Sequence, residues 1–148
     1  MKNNLHRIGA VFYILWGIVH VIGGFMIITT SMSGKPIDTL SIFGQNVGLP
    51  GATVNGLAGF HGWNITMMGF AAIAVAAILN WKNSRLGFWL NLSIVMVADM
   101  GLLLFLLLPG HMSWQEGSIG ISLFAFALVF TTLGKPKNRK LNSIGVYT

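Results

Sequence analysis

The sequence predicts an all-α polytopic integral membrane protein, a bundle of four transmembrane helices with both termini in the cytoplasm. Three observations carry that expectation. The 148-residue chain is 54% hydrophobic and only 8% charged, with a mean hydropathy of +0.73. Soluble domains carry roughly a quarter charged residues, far more than this chain could place on a water-facing surface. Four stretches are apolar over about the 20 residues that a helix needs to cross a hydrocarbon core of about 30 Å. The basic residues, finally, gather on one side of those stretches. Disorder is excluded because disordered chains are poor in apolar residues. With no cysteine, disulfide scaffolds, thiolate metal sites and thiol nucleophiles are excluded as well.

The first span is expected over residues 8–28 and the second over 57–79. The third follows over 86–108 and the fourth over 118–133, the shortest, softened by Gly120, Ser122, Thr131 and Thr132. None alternates strictly enough for an outer-membrane barrel strand, and isolated strands leave their backbone unsatisfied in lipid. One membrane domain therefore fills residues 1–148, with an outer loop at 29–56 and a basic tail at 134–148. The first span is longer than the 7–15 apolar residues usual in a cleavable signal, so it is taken as a retained anchor.

Charge sets the topology. Lys2, Arg7, Lys82, Arg85, Lys135, Lys137, Arg139 and Lys140 flank the spans on one side, while the other side holds only Lys35, with Asp38 and Glu116. The positive-inside rule then puts both ends in the cytoplasm, as in a small bacterial inner-membrane (plasma-membrane) protein. Residues 80–85 form a tight hairpin flanked by Trp81 and Trp89 at interfacial depth. The joint at 109–117 is broken by Pro and Gly. The outer loop carries Ile37, Leu40, Ile42 and Phe43, apolar enough to lie on the membrane surface or cap the bundle. The tail residues Lys135, Lys137, Arg139 and Lys140 are expected to touch lipid heads, at about 1 kcal/mol each. That basicity is an anchoring feature and implies no nucleic acid. The glycosylation-like runs at Asn64 and Asn91 fall inside spans and are set aside.

Ionisable groups at bilayer depth are costly and mark chemistry. At about 1.5 Å per residue, His20 lies roughly 18 Å and Asp99 roughly 20 Å from the cytoplasmic ends of their spans. Asn64 shares that layer, and His61 lies about one turn above it. Trp16, Gly17, His20 and Gly24 fall on one side of the first helix, and small residues mark close helix approach, so His20 is expected to face inward. His61, Asn64 and Met68 follow the same spacing on the second helix, where Gly56, Gly59 and Gly62 permit tight packing. Met96 and Met100 flank Asp99. A cluster of His20, Asp99, Asn64, His61 and Trp16 is thus the candidate site for a ligand or proton. Lone charges are unfavourable in hydrocarbon, so His20 and Asp99 are expected to pair, with Asn64 completing the bonding.

The favoured function is binding or moving a small solute or proton, as a homo-oligomer or a subunit of a membrane complex. The alternative is a non-catalytic accessory or scaffold subunit, in which the cluster is a structural clamp. A haem held by His20 and His61 is disfavoured by a height difference of roughly 8 Å. Copper would suit the methionines Met67, Met68, Met96, Met100 and Met112 beside His111, although Met also fills apolar interiors. No cofactor is therefore expected, and the metal is left open. An intramembrane enzyme acting on a hydrophobic substrate could use His20 and Asp99 as an acid–base pair, but no nucleophile, phosphate-loop or zinc-protease motif is present.

Overall fold

The computed structural model describes residues 4–33 and 51–135. These form four helices: α1 (Leu5–Met32), α2 (Gly51–Ile78), α3 (Arg85–Leu102) and α4 (Trp114–Leu133). A 3₁₀ turn, Asn80–Lys82, continues α2, and a π-helical stretch, Leu103–Leu107, continues α3. With those extensions, all four are long and apolar enough to cross a membrane.

Helix limits differ from expectation for local reasons. α1 runs to Met32 and α2 starts at Gly51, so the joint is shorter than 29–56. Hydroxyls ease that run past the apolar stretch: Thr29 and Thr30 both donate to the Met26 carbonyl. The fourth helix begins at Trp114 instead of Ser118 because Ser113 caps it. The Ser113 hydroxyl oxygen accepts from the Glu116 amide at 3.3 Å and donates to Glu116 Oε2 at 2.9 Å, an N-cap that satisfies an otherwise orphaned amide. The expected membrane-surface residues Ile37, Leu40, Ile42 and Phe43, and the tail residues Lys137, Arg139 and Lys140, lie outside the described residues.

The α2–α3 hairpin turns through Asn83, left-handed at φ 56°, a conformation that Asn tolerates better than most residues. Ser84 then caps α3 by accepting from the Gly87 amide at 3.4 Å. The hairpin also holds the end of α4, since Asn83 donates to the Gly134 carbonyl at 3.0 Å. The Lys135 ammonium stands 3.3 Å from the centre of the Phe88 ring. Arg7 lies over Trp81 on the same end.

The helices run alternately up and down. α1 packs most extensively on α2 and next on α4, while α3 closes the ring more lightly against α2 and α4. Glycine permits the tightest seam. A Cβ on Gly17 would stand 2.7 Å from the Gly69 carbonyl oxygen, and one on Gly69 the same distance from that of Gly17. Gly24 and Gly62 repeat the exchange at 2.6 and 2.7 Å, one heptad along each helix. Backbones this close maximise dispersion between the two helices.

The seam divides two unlike halves. Toward the termini, Tyr13 and Trp16 of α1 fill the centre against Ala72 and Ala76 of α2, Val95 of α3 and Ala127 of α4. Large rings on one helix meet alanines on two others, so this half is solid. Asn91 is fully buried at its edge, donating to the Ala72 carbonyl at 3.3 Å and lying beside Asn80. The far half is hollow.

Candidate functional site: a cavity with a polar floor

The hollow is a cavity of about 820 Å³ walled by all four helices and the α3–α4 joint. Its walls are mostly apolar, as in small-molecule sites generally. Glycine makes part of the space: nothing stands within 4 Å of where a Cβ on Gly23 or Gly101 would sit, and both residues line the cavity. The π-helical stretch makes another part. Its Leu108 amide reaches back to the Leu103 carbonyl at 2.9 Å, widening the helix where Phe105 and Leu106 form the wall. Such π turns recur at functional sites because they re-aim side chains. Exposed residues belong to the wall on two sides, Leu57, Val97 and Phe105 toward the bundle flank and His111 and Glu116 at the joint. The cavity therefore communicates with the surroundings.

The polar groups gather where hollow meets solid. Trp16 is fully buried, and its indole Nε1–H donates to Asp99 Oδ1 at 3.1 Å. Asp99 is 6% exposed, and its other oxygen, Oδ2, is buried with no hydrogen-bond partner. His20 stacks on the Trp16 indole, ring centres 3.6 Å apart, and its Nδ1 lies 2.8 Å from the Trp16 carbonyl oxygen. A carbonyl only accepts, so that bond assigns the proton to Nδ1 and leaves Nε2 of the neutral ring as an acceptor. Opposite them is Gly120 of α4. A Cβ there would lie 3.1 Å from His20 Cε1 and 3.7 Å from both His20 Nε2 and Asp99 Oδ1. The imidazole and the carboxylate thus flank one niche beside a glycine, where a Cβ would already crowd the ring.

Of the five expected site residues, three line the cavity and the other two, Trp16 and Asp99, stand at its floor. His20, Asn64 and His61 line it, and Asp99 backs the floor beside His20. Trp16 takes a larger part than expected. Asp99 does not pair with His20 among the described residues; the indole is its partner, because Trp16 lies one turn deeper in the solid half and spans the bundle to α3. Asn64 makes no bond to either residue and instead forms part of the wall. Met68 and Met112 also line the cavity, whereas Met96 and Met100 are exposed. Among the described residues no three His, Asp or Glu side chains come together in a geometry able to hold a metal ion. The buried Asn91 and Asn80 were absent from the expected cluster; polar residues at helical spacing from a hairpin were the available signal.

The chain is thus an all-helical protein with four helices long and apolar enough to cross a membrane. No protein-family profile, curated protein or solved structure matches it.

Proposed function

We propose that this protein binds a small, largely apolar molecule within the membrane, in the cavity above Trp16, His20 and Asp99. The observation that carries the proposal is the niche over Gly120. The Asp99 carboxylate, through Oδ1, and an imidazole acceptor meet there, at the end of an apolar hollow. A hydrogen bond to a charged group is worth about 1.5–3 kcal/mol, so a molecule that donates to this pair is favoured. The solid core beneath the floor favours binding over a continuous channel through the bundle. A cavity enclosed by one chain is complete without a second copy, whether or not the chain assembles further.

The membrane we infer is the plasma (bacterial inner) membrane, with both termini cytoplasmic. Arg7, Lys82, Arg85 and Lys135 stand at one end of the bundle, and Glu116 at the other, as the positive-inside rule requires. An accessory-subunit role draws its support from the Trp16–Asp99 bond, which ties α1 to α3 with or without a ligand.

One comparison separates the two. The wild-type protein and a Gly23→Leu, Gly101→Leu variant, whose new side chains enter open space, are purified in mild detergent and their small-molecule content is extracted and weighed by mass spectrometry. Binding predicts a near-stoichiometric compound in the wild type that the filled variant lacks. Identical extracts from two equally stable proteins would leave only the scaffold role.

A further inference from the structure

The charges around the cavity are of one sign. Among the described residues the only carboxylates are Asp99 and Glu116: Glu116 lines the cavity at the α3–α4 joint, and Asp99 stands behind its floor against Gly120. No Lys or Arg lines it. The described basic side chains, Arg7, Lys82, Arg85 and Lys135, all stand at the opposite end of the bundle. A ligand carboxylate or phosphate would meet repulsion at the mouth and again at the floor.

The hydrogen-bonding groups at the floor have the same bias. Trp16 spends its one N–H on Asp99 Oδ1, and His20 spends its Nδ1–H on the Trp16 carbonyl. What stands nearest the niche is His20 Nε2 and Asp99 Oδ1, which keeps a lone pair beyond its bond from Trp16. Both are acceptors. Two acceptors around one empty point ask for a donor between them, and a carboxylate with no cation near it asks for that donor to be positive.

We propose that the cavity takes a cationic amphiphile, a primary or secondary amine on an apolar body, with its ammonium over Gly120 between His20 and Asp99. This rests on the ligand-binding role proposed above and narrows it to one ligand class. The ammonium donates to Asp99 Oδ1 and His20 Nε2, and the apolar body lies along the wall formed by Gly23, Met68, Ala98 and Leu102. Glu116 draws the cation to the mouth. The glycine at position 120 is then a requirement of the site, because a Cβ there would stand 3.1 Å from His20 Cε1 and narrow the approach to both acceptors.

The test uses the full chain in lauryl maltoside micelles and three probes with the same ten-carbon tail: decylamine, decanol and decanoic acid. Affinities come from equilibrium binding of the radiolabelled compounds. Decylamine should bind about tenfold or more tighter than decanol, the usual worth of a charge-assisted hydrogen bond, with decanoic acid weakest. Asp99→Asn keeps an oxygen for the Trp16 indole but removes the charge. It should bring decylamine and decanol to within about threefold of each other. Gly120→Ala, which keeps Asp99 intact, should weaken decylamine more than decanol.

Equal binding of amine and alcohol by the wild type would overturn the cationic assignment and leave the cavity as a neutral binding site. An amine preference that survives Asp99→Asn and Gly120→Ala but disappears in Glu116→Gln would move the charge recognition to the mouth and overturn the seat over Gly120. Failure of all three probes to bind, with Gly23→Leu indistinguishable from wild type, would remove the binding role itself.

Discussion

The Trp16 indole donates to Asp99 Oδ1 at 3.1 Å, joining α1 to α3 across the diagonal of the bundle. The two helices otherwise make few contacts, since each packs chiefly on α2 and α4. One buried bond therefore does two things. It fixes the height of α3 against α1, and it leaves the second carboxylate oxygen turned from water with nothing to bond.

Removing the donor should expose that dependence. Trp16→Phe keeps most of the ring volume and the stacking surface for His20 but strips the N–H. The loss of stability should be about 1.5–3 kcal/mol, the worth of a hydrogen bond to a charged group. Combined with Asp99→Leu, the two losses should fall well short of additive, because each variant breaks the same bond. Unfolding in mixed micelles measures all three; strict additivity would deny the bond its role.

The glycine seam between α1 and α2 makes a sharp positional prediction. Gly24→Ala puts a methyl 2.6 Å from the Gly62 carbonyl oxygen, so the backbones must part. A stability loss of about 1–3 kcal/mol is expected from such overpacking. Gly23→Ala, one residue away, meets open space and should be neutral or stabilising by up to about 1 kcal/mol through helix propensity. Thermal unfolding of the pair in detergent checks the contrast.

Ser113→Ala removes the cap that starts α4 four residues before its apolar run. The expected loss is about 0.5–2 kcal/mol, concentrated in the first turn. Hydrogen exchange should speed at residues 114–117, beside the cavity mouth, and stay unchanged at residues 127–133.

The absence of natural cysteine makes topology simple to test. Single cysteines at Gln115 and Lys82, both exposed and at opposite ends, should label differently in intact cells. A membrane-impermeant maleimide should modify the first from outside and the second only after lysis. The reverse pattern would invert the proposed orientation.

How far the sequence carried these conclusions depends on the residue. The spans and the common layer of His20 and Asp99 follow from apolar run length and helical rise, which are local properties. The Trp16–Asp99 bond did not follow, because spacing places Trp16 and His20 on one face without saying which crosses the bundle. That choice is made by the neighbours: Ala72, Ala76 and Ala127 leave room for an indole in the solid half, so Trp16 is the one that reaches α3. The cavity was illegible for a related reason. It arises from what Gly23 and Gly101 lack and from the light contact between α3 and its neighbours, and neither has a pattern along the chain. The start of α4, by contrast, was written in Ser113 and Glu116, whose spacing is that of a capping box.

The most direct test is an experimental density map of the wild-type protein prepared in native lipid. A bound small molecule predicts continuous non-protein density in the cavity, ending against His20, Asp99 and Gly120. The same map of the Gly23→Leu, Gly101→Leu variant should lack it. A wild-type map in which the cavity is closed by direct contact between His20 and Asn64, with Asp99 Oδ2 bonded inside the protein, would contradict a binding role and leave a structural clamp.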